Sequence, residues 1–318
     1  MSKKLKIGVL FGGKSAEHEV SIESASFVIK GLDRKKYVVT PIKIPKSGKF
    51  DFNKLKKFDV VFPVFHGPFG EDGTIQGLLK LIGIPFVGAS VLGTAVGQDK
   101  DAMKRLLRDA GIPVAKFIIL KSREKISFEK AKKELGLPMF IKPANMGSSV
   151  GINKVKNKKD FYRALKDAFQ YDTKIIMEEF IAGREIECGL IGNDIPKVSL
   201  PGEVLPNDQF FTYKAKYTEG GARVILPANL NKNLLEKVQS LAIKTYQVLS
   251  CEGMGRVDFF LKKNGEFIVN EINTIPGPVM FRKVWEASGM PFTKLLDELV
   301  RFALERFNKE KKLKNTFK

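Results

Sequence analysis

The run GRVDFFLKKNGEFIVNEIN, residues 255–273, constrains the fold more than any other part of the chain. Asn264-Gly265 sits between two segments rich in β-branched and aromatic residues, a strong short-range signal for a hairpin with a two-residue turn. With those two residues as the turn, Lys263 pairs with Glu266. Counting outward puts Asp258 opposite Glu271 and Arg256 opposite Asn273. Side chains alternate along a strand, so these four share one face, and Val257, Phe259 and Leu261 share the other with Ile268 and Ile272. Two opposed carboxylates repel unless positive charge lies between them. Either Arg256 alone relieves that repulsion on a solvated face, or Asp258, Glu271 and Asn273 hold a hard cation such as Mg2+, which takes oxygen ligands and bridges nucleotide phosphates.

The first third of the chain alternates strand-like and helix-like runs. Strands are expected over 5–11, 37–44 and 59–65, and a helix over 21–32. Such alternation implies an α/β unit with a doubly wound parallel sheet, whose ligands bind beyond the C-terminal ends of the strands. Residues 13–17 and 66–72 lie at such ends. The first of these carries a formal P-loop match, Gly8-Val-Leu-Phe-Gly-Gly13-Lys14-Ser15. A working P-loop needs its first glycine at the end of a strand. Gly8 is inside the apolar run 7–11, so the match is read as accidental. Gly12-Gly13 reads better as a sharp turn. It delivers Glu17 to the rim of the sheet, where a carboxylate either meets a substrate ammonium or merely caps the next helix.

The middle of the chain reads as a small α+β unit. A helix is expected over 99–110 with Asp99 as its N-cap, strands over 115–120, 139–142, 150–155 and 174–180, and helices over 127–135 and 158–169. The remainder holds strands, an irregular stretch over 206–226, a helix over 231–249, the hairpin and a terminal helix over 291–307. The expected division is 1–95, 96–180 and 181–318. In the middle unit, FIKPANMGSSVGI sets Lys142 at a strand end ahead of Gly147-Ser148-Ser149. That is either a plain β-turn or a small-residue loop that lays backbone N–H groups on phosphates. IIMEEFIAGREIE follows, an apolar strand ending in acceptors. Glu178 suits the amino edge of a purine, with Phe180 and Ile181 as apolar cover.

The 318 residues carry a formal net charge of +20. A balance that basic raises nucleic-acid binding. The lysines, however, are spread through every segment at helix-surface spacing, with one concentrated run at 309–314. A solvated surface that attracts anionic substrates is the expectation. No apolar run approaches the roughly 18 residues of a membrane span. The N-terminus enters a strand without a signal-peptide cleavage site, so a cytoplasmic protein is expected. Cys188 and Cys251 cannot make a disulfide framework and read as buried thiols.

As a set, FGGKSAEHEVS, FHGPFGEDGTIQG, KPANMGSSVGI, EEFIAGREIE, YKAKY, GRVDFF and NEINTIPG resemble, in order, the D-alanine–D-alanine ligases of the ATP-grasp superfamily. The resemblance runs from about residue 5 to 305. It implies a three-domain ATP-grasp architecture, α/β and α+β, with ATP between the central and C-terminal units. It implies Lys100, Lys142, Ser149 and Lys216 at the phosphates, Glu178, Phe180 and Ile181 at adenine, and Glu185 at ribose. Mg2+ or Mn2+ would sit on Asp258, Glu271 and Asn273. Glu17 would hold the ammonium of the first D-alanine, linked by hydrogen bonds to Ser148 and Tyr217, with His66 near the substrate carboxylate. Arg256 and the N–H of Gly277 would stabilise a tetrahedral oxyanion. The implied activity is ATP-dependent ligation of two D-alanines through an acyl phosphate, for peptidoglycan precursor synthesis. The stretch 206–226, with Tyr213, Lys216 and Tyr217, would be its lid. Expected partners are D-alanine and ATP, with no nucleic acid, no membrane span, and a homodimer as the candidate assembly.

One stretch departs from that pattern. After Asn273-Thr-Ile-Pro-Gly277 the chain is about three residues short and lacks the serine expected to hold the acceptor carboxylate. Arg256 is one candidate to replace it; Arg282 and Lys283, drawn inward by the shorter loop, are others. The alternative activity is another ATP-grasp carboxylate–amine ligase or a D-alanine–hydroxy acid ligase, although Tyr217 favours an amine acceptor. A P-loop NTPase or a basic nucleic-acid-binding protein is the rival from a different class.

Overall fold

The computed structural model describes residues 3–122, 124–147, 150–206 and 222–314. Three sheets form among them. In the first, β1 (Leu5–Gly12), β2 (Tyr37–Ile44) and β3 (Val60–Val64) run parallel in the order β2-β1-β3, and Phe86 adds a parallel bridge to Val61. Helix α1 (His18–Gly31) connects β1 to β2, and α2 (Thr74–Leu81) follows β3. Both faces are covered. Ile7, Val9 and Phe11 pack with Ala25 and Val28 of α1, while Leu10, Val61 and Phe65 pack with Ile75 and Leu79 of α2. A parallel sheet buried on both faces is what the near-continuous apolar strands require. Gly8 lies mid-strand, opposite Thr40 and Val61, and a Cβ there would come within 2.9 Å of the Phe58 ring. A phosphate-wrapping loop cannot begin at such a position.

Two helices lead into the middle of the chain, α3 (Val91–Gln98) and α4 (Lys100–Asp109). Asp99 caps α4, its carboxylate accepting from the N–H groups of Asp101 and Ala102. The second sheet is antiparallel, built from β4 (Phe117–Lys121), β5 (Met139–Pro143), β6 (Asn153–Val155) and β7 (Lys174–Glu179) in the order β4-β7-β5-β6. Helices α5 (Phe128–Leu135) and α6 (Lys158–Ala168) close its core around Met139, Ile141, Phe161 and Ile175.

The third sheet contains β8 (Arg184–Gly192), β9 (Lys197–Val198), β10 (Gly202–Pro206), β11 (Ala222–Ile225), β12 (Gly253–Leu261) and β13 (Phe267–Asn273), ordered β11-β10-β8-β12-β13 with β9 on β8. Helix α7 (Lys232–Val248) covers its back together with α4: Met103 and Leu107 share a core with Val238, Tyr246, Val257 and Phe259. The chain ends in α8 (Pro278–Ala287) and α9 (Phe292–Glu310). Helix α9 returns to the first sheet, where Leu295, Leu299 and Phe302 join the cluster of Ile7 and Val9. Arg306, buried, donates to the carbonyls of Gly88 and Phe86 at 2.7 and 2.8 Å. Among the described residues no helix is long and apolar enough to cross a membrane.

The hairpin reaches the expected pairing by a different route. Gly265, at φ +80°, donates its N–H to Lys262 O, and the Lys262 N–H donates to Glu266 O, so the loop spans 263–265. Near the turn Leu261 faces Phe267 and Phe259 faces Val269, one residue off the two-residue-turn register. The register then shifts between Asp258 and Phe259, leaving Asn270 as an extra residue on β13, a β-bulge. Beyond it, Asp258 faces Glu271 and Arg256 faces Asn273. The expected core face is corrected accordingly. Phe267, Val269 and Ile272 share the core with Val257, Phe259 and Leu261, whereas Ile268 lies opposite Phe260.

Candidate active site

Gly12 and Gly13 take φ of +90° and +83°, which lets the chain leave β1 and reverse within two residues. This tight exit lets α1 start at His18 rather than Ser21. The turn is pinned by Ser21 Oγ, which accepts the Gly12 N–H at 2.8 Å, and by His18 Nδ1, 2.8 Å from Gly13 O. Glu17 arrives at the N-cap position buried, yet its carboxylate makes no capping hydrogen bond. Lys14 points to solvent. Ser15 Oγ donates to the His66 carbonyl at 2.9 Å and so joins the two strand-end loops. His66 is buried, with Nε2 2.9 Å from Ser24 Oγ and Nδ1 3.9 Å from Glu71, which also accepts the Gly67 N–H at 2.7 Å. A Cβ built on Gly67 would lie 2.3 Å from Glu17 Oε2, so this loop's backbone rests directly on the carboxylate.

The other two sheets close on the same place. A Cβ on Gly147 would lie 4.0 Å from that Glu17 oxygen, which brings the loop after β5 to the rim of the first sheet. Helix α4 ties this loop to the hairpin. Lys100 donates its backbone N–H to Ala144 O at 3.0 Å and its Nζ to Met146 O at 2.8 Å, and its Nζ lies 3.7 Å from the Glu271 carboxylate. One turn further on, Lys104 is 1% exposed and 2.8 Å from Glu178 Oε1. Lys142 pairs with the other oxygen, Oε2. Lys142 stands opposite Ile176, two residues from Glu178 on β7, so both side chains leave the same face. Burial alone would raise the Glu178 carboxyl; Lys104 and Lys142 outweigh it and hold the group down at about 2. Burial lowers Lys104. Burial also pulls on Lys142, but Glu178 and Glu271 leave it raised. Phe180 is 41% exposed, its ring 6.1 Å from that of Phe140 and 4.3 Å from Lys154 Nζ, and Ile181 and Glu185 are half-buried.

Strands β8, β12 and β13 set Glu187, Asp258 and Glu271 in one row. Arg256 grips Asp258 with Nε and Nη2, both at 2.7 Å, and its Nε lies 3.2 Å from Glu187. Burial would lower Arg256; the charges of Asp258 and Glu187 outweigh it, and the guanidinium is raised. Asn273 Nδ2 donates to Asp258 Oδ2 at 2.9 Å. Among the described residues no three His, Cys, Asp or Glu side chains converge as a metal centre. The set is instead two carboxylates and an amide on rigid strands, all hard oxygen donors, which fits Mg2+ or Mn2+ and not a soft metal.

Two family profiles match this chain: D-ala D-ala ligase N-terminus over residues 6–56 and 51–89, and D-ala D-ala ligase C-terminus over 106–301. The chain belongs to the D-alanine–D-alanine ligase family. A D-alanine–D-alanine ligase of Oceanobacillus iheyensis is 44% identical over 361 aligned positions, covering 98% of this chain and 99% of the relative. The solved D-alanine–D-alanine ligase of Coxiella burnetii superposes with a TM-score of 0.88 at 36% identity, over 98% of this chain and 97% of that one. The ligase of Bacillus anthracis, solved in complex with ATP, gives 0.84 at 31% identity, over 96% and 99%.

In this member of the ligase family Gly277 is the N-cap of α8, with Pro278 opening the helix. Arg282 and Lys283 are not drawn inward. The helix starts directly after Gly277 and turns Phe281, Val284 and Trp285 to the core, so residues 282 and 283 face solvent. Arg282 pairs with Glu286 at 2.8 Å and covers the Phe292 ring. Ser148, Ser149, Tyr213, Lys216 and Tyr217 lie outside the described residues. Three site residues escaped the sequence reading: Lys104, Glu187 and Glu71. Lys104 was signalled by its place one turn after Lys100 on the stripe of Met103 and Leu107. Glu187 was signalled by its place two residues after Glu185 on a strand.

Proposed function

We propose that this protein joins two D-alanines into D-alanyl-D-alanine at the expense of ATP. The observation that carries the reading is one continuous line of neighbours. It runs from Glu17 to the Gly147 loop, through Met146 to Lys100, on to Glu271, across the ladder to Asp258, and to Arg256. In this reading an ammonium-binding carboxylate, a phosphate-binding lysine and a set of hard donors are successive neighbours.

In this reading Glu17 holds the ammonium of the first D-alanine, and His66 faces its carboxylate. A carboxylate is a poor electrophile, so one of its oxygens first takes the γ-phosphoryl group and ADP leaves. The amine of the second D-alanine then attacks the carbonyl carbon, the C–O bond to phosphate breaks, phosphate departs with that electron pair, and the amine loses a proton. Lys100 and Lys142, with Ser149 and Lys216, hold phosphates; Glu178, Phe180, Ile181 and Glu185 receive adenosine. Asp258, Glu271 and Asn273 would hold Mg2+ or Mn2+, which would neutralise phosphate charge. Arg256 and the Gly277 N–H serve the oxyanion. Arg256 also receives the acceptor carboxylate, because Arg282 and Lys283 lie on the solvent side of α8. Ser148 and Tyr217 brace Glu17, and the stretch 206–226 shields the acyl phosphate from water. The units 1–95, 96–180 and 181–318 act as a homodimeric cytoplasmic enzyme of peptidoglycan precursor synthesis.

The test is product analysis by mass spectrometry with ATP, Mg2+, D-alanine, and D-serine or D-lactate as competitors. D-alanine-dependent ADP release with D-alanyl-D-alanine as the main product is expected. ADP release without any D-amino acid, or a preference for D-lactate at neutral pH, refutes the assignment.

A further inference from the structure

Helix α4 buries a stripe that reads Lys100, Met103, Lys104 and Leu107. The two apolar members sit in the core of the third sheet, beside Val257 and Phe259. The two lysines leave that core and reach the second sheet. Lys100 takes the Met146 carbonyl, and Lys104 takes Glu178 on β7. The Lys104–Glu178 contact therefore crosses the cleft between the strand assigned to the base and the hairpin assigned to the metal. Lys142 already pairs with Glu178 from the neighbouring strand, so charge balance alone does not call for a second lysine. A fully buried lysine is also a poor source of stability, since an apolar residue of its volume often serves as well or better.

We infer that Lys104 is a positioning residue for the nucleotide: it fixes Glu178 Oε1 from across the cleft while Lys142 fixes Oε2, and so sets the carboxylate that receives the base. The inference rests on the reading of Glu178 as a nucleotide-binding group. An ion pair at each oxygen restricts rotation of the carboxylate about its terminal torsion. That arrangement accepts from an exocyclic amine and has nothing to donate to a carbonyl.

The experiment measures ADP binding in the presence of Mg2+ by calorimetry, together with kcat and the KM values for ATP and D-alanine. The variants are Lys104→Met, Lys104→Gln, Glu178→Gln and the Lys104→Met/Glu178→Gln double variant. Lys104→Met is expected to weaken ADP and raise the KM for ATP by about tenfold or more, the loss of a bond to a charged group, with the KM for D-alanine unchanged. Lys104→Gln, which keeps a donor, restores part of the loss and carries the comparison should Lys104→Met not fold. In the Glu178→Gln background the Lys104 substitution should add little, because the two act as a unit. Normal ADP binding in Lys104→Met with weak binding in Glu178→Gln overturns the inference and leaves the nucleotide reading standing. So does full additivity in the double variant, or a parallel fall in kcat and both affinities with a lowered melting temperature. Normal ADP binding in Glu178→Gln itself removes the nucleotide reading and the inference with it.

Discussion

Replacing Gly67 by alanine asks whether Glu17 holds substrate where the structure puts it. The new Cβ would stand 2.3 Å from Glu17 Oε2 and 3.0 Å from Ser15 Oγ. A carbon and an oxygen settle at about 3.3 Å or more, so the carboxylate must retreat by roughly 1 Å. Gly67 also has φ +74°, where alanine costs about 1 kcal/mol more than glycine. These two effects can be separated. Gly83 has nearly the same backbone, φ +71°, with nothing within 4 Å of its Cβ. Gly83→Ala should therefore lose about 1 kcal/mol of stability and keep its activity. Gly67→Ala should lose a similar amount and, through the shifted carboxylate, about a hundredfold in kcat/KM for D-alanine. Thermal melts and initial rates at saturating ATP give both quantities, and ADP binding serves as the internal control because it should not change. Equal kcat/KM for D-alanine in the two variants would refute the placement of Glu17 at the substrate.

Lys14→Ala should leave both ATP and D-alanine dependence intact while Glu17→Ala abolishes turnover; the reverse order in a rate assay would revive a P-loop. Asp258→Asn and Glu271→Gln should each lose about a hundredfold or more of Mg2+-dependent turnover with unchanged melts, and full activity in either one rejects the donor set. Glu178 is held at about 2 against an ordinary 4.5, so its contribution to stability is complete above pH 4.5 and is lost as the pH falls toward 2. Glu178→Gln should flatten that acid limb in pH-dependent melts, and an unchanged limb contradicts the ion pairing. Glu187→Gln should loosen Arg256 and lower kcat about tenfold at constant KM for ATP; an effect on the KM for ATP alone would place Glu187 in the nucleotide pocket instead.

The parts of the fold legible in the sequence were those set by local signals. β2 spans the expected 37–44, and α4 starts at the expected cap, because an apolar run and an Asp N-cap act within a few residues. Helices α2, α3 and α8 were not foreseen. Helices α2 and α3 are eight residues long and carry Gly77, Gly93 and Gly97, each a poor helix former. Two of those glycines answer to distant chain: a Cβ on Gly93 would stand 2.7 Å from Ser250 O, and one on Gly97 2.8 Å from Thr274 Cγ2. Such contacts come from tertiary packing and leave no periodic trace. Helix α8 did carry a readable start, Gly277-Pro278, with proline at the first helical position. Reading residues 278–281 as a shortened loop hid it and sent Arg282 and Lys283 inward.

The hairpin shows why a site can be read correctly from a turn that is read incorrectly. Side-chain direction in a strand has period two, so an error of one residue in loop length reassigns every partner. With the observed loop and an unbroken ladder, Asp258 would face Asn270 and Arg256 would face Ile272, and the set would be divided between core and cleft. The bulge at Asn270 restores the pairing just where the carboxylates begin. Bulges re-aim side chains at such places and interrupt the ladder to do so; here the result is Asp258 opposite Glu271 and Arg256 opposite Asn273 on the cleft face, with the core face intact on both sides. Lys104 escaped notice for the complementary reason. A pattern reading assigns Lys to solvent and Met or Leu to the core, so a buried stripe of Lys100, Met103, Lys104 and Leu107 reads as two unrelated faces. Only the carboxylates on two other sheets, Glu178 and Glu271, make it one.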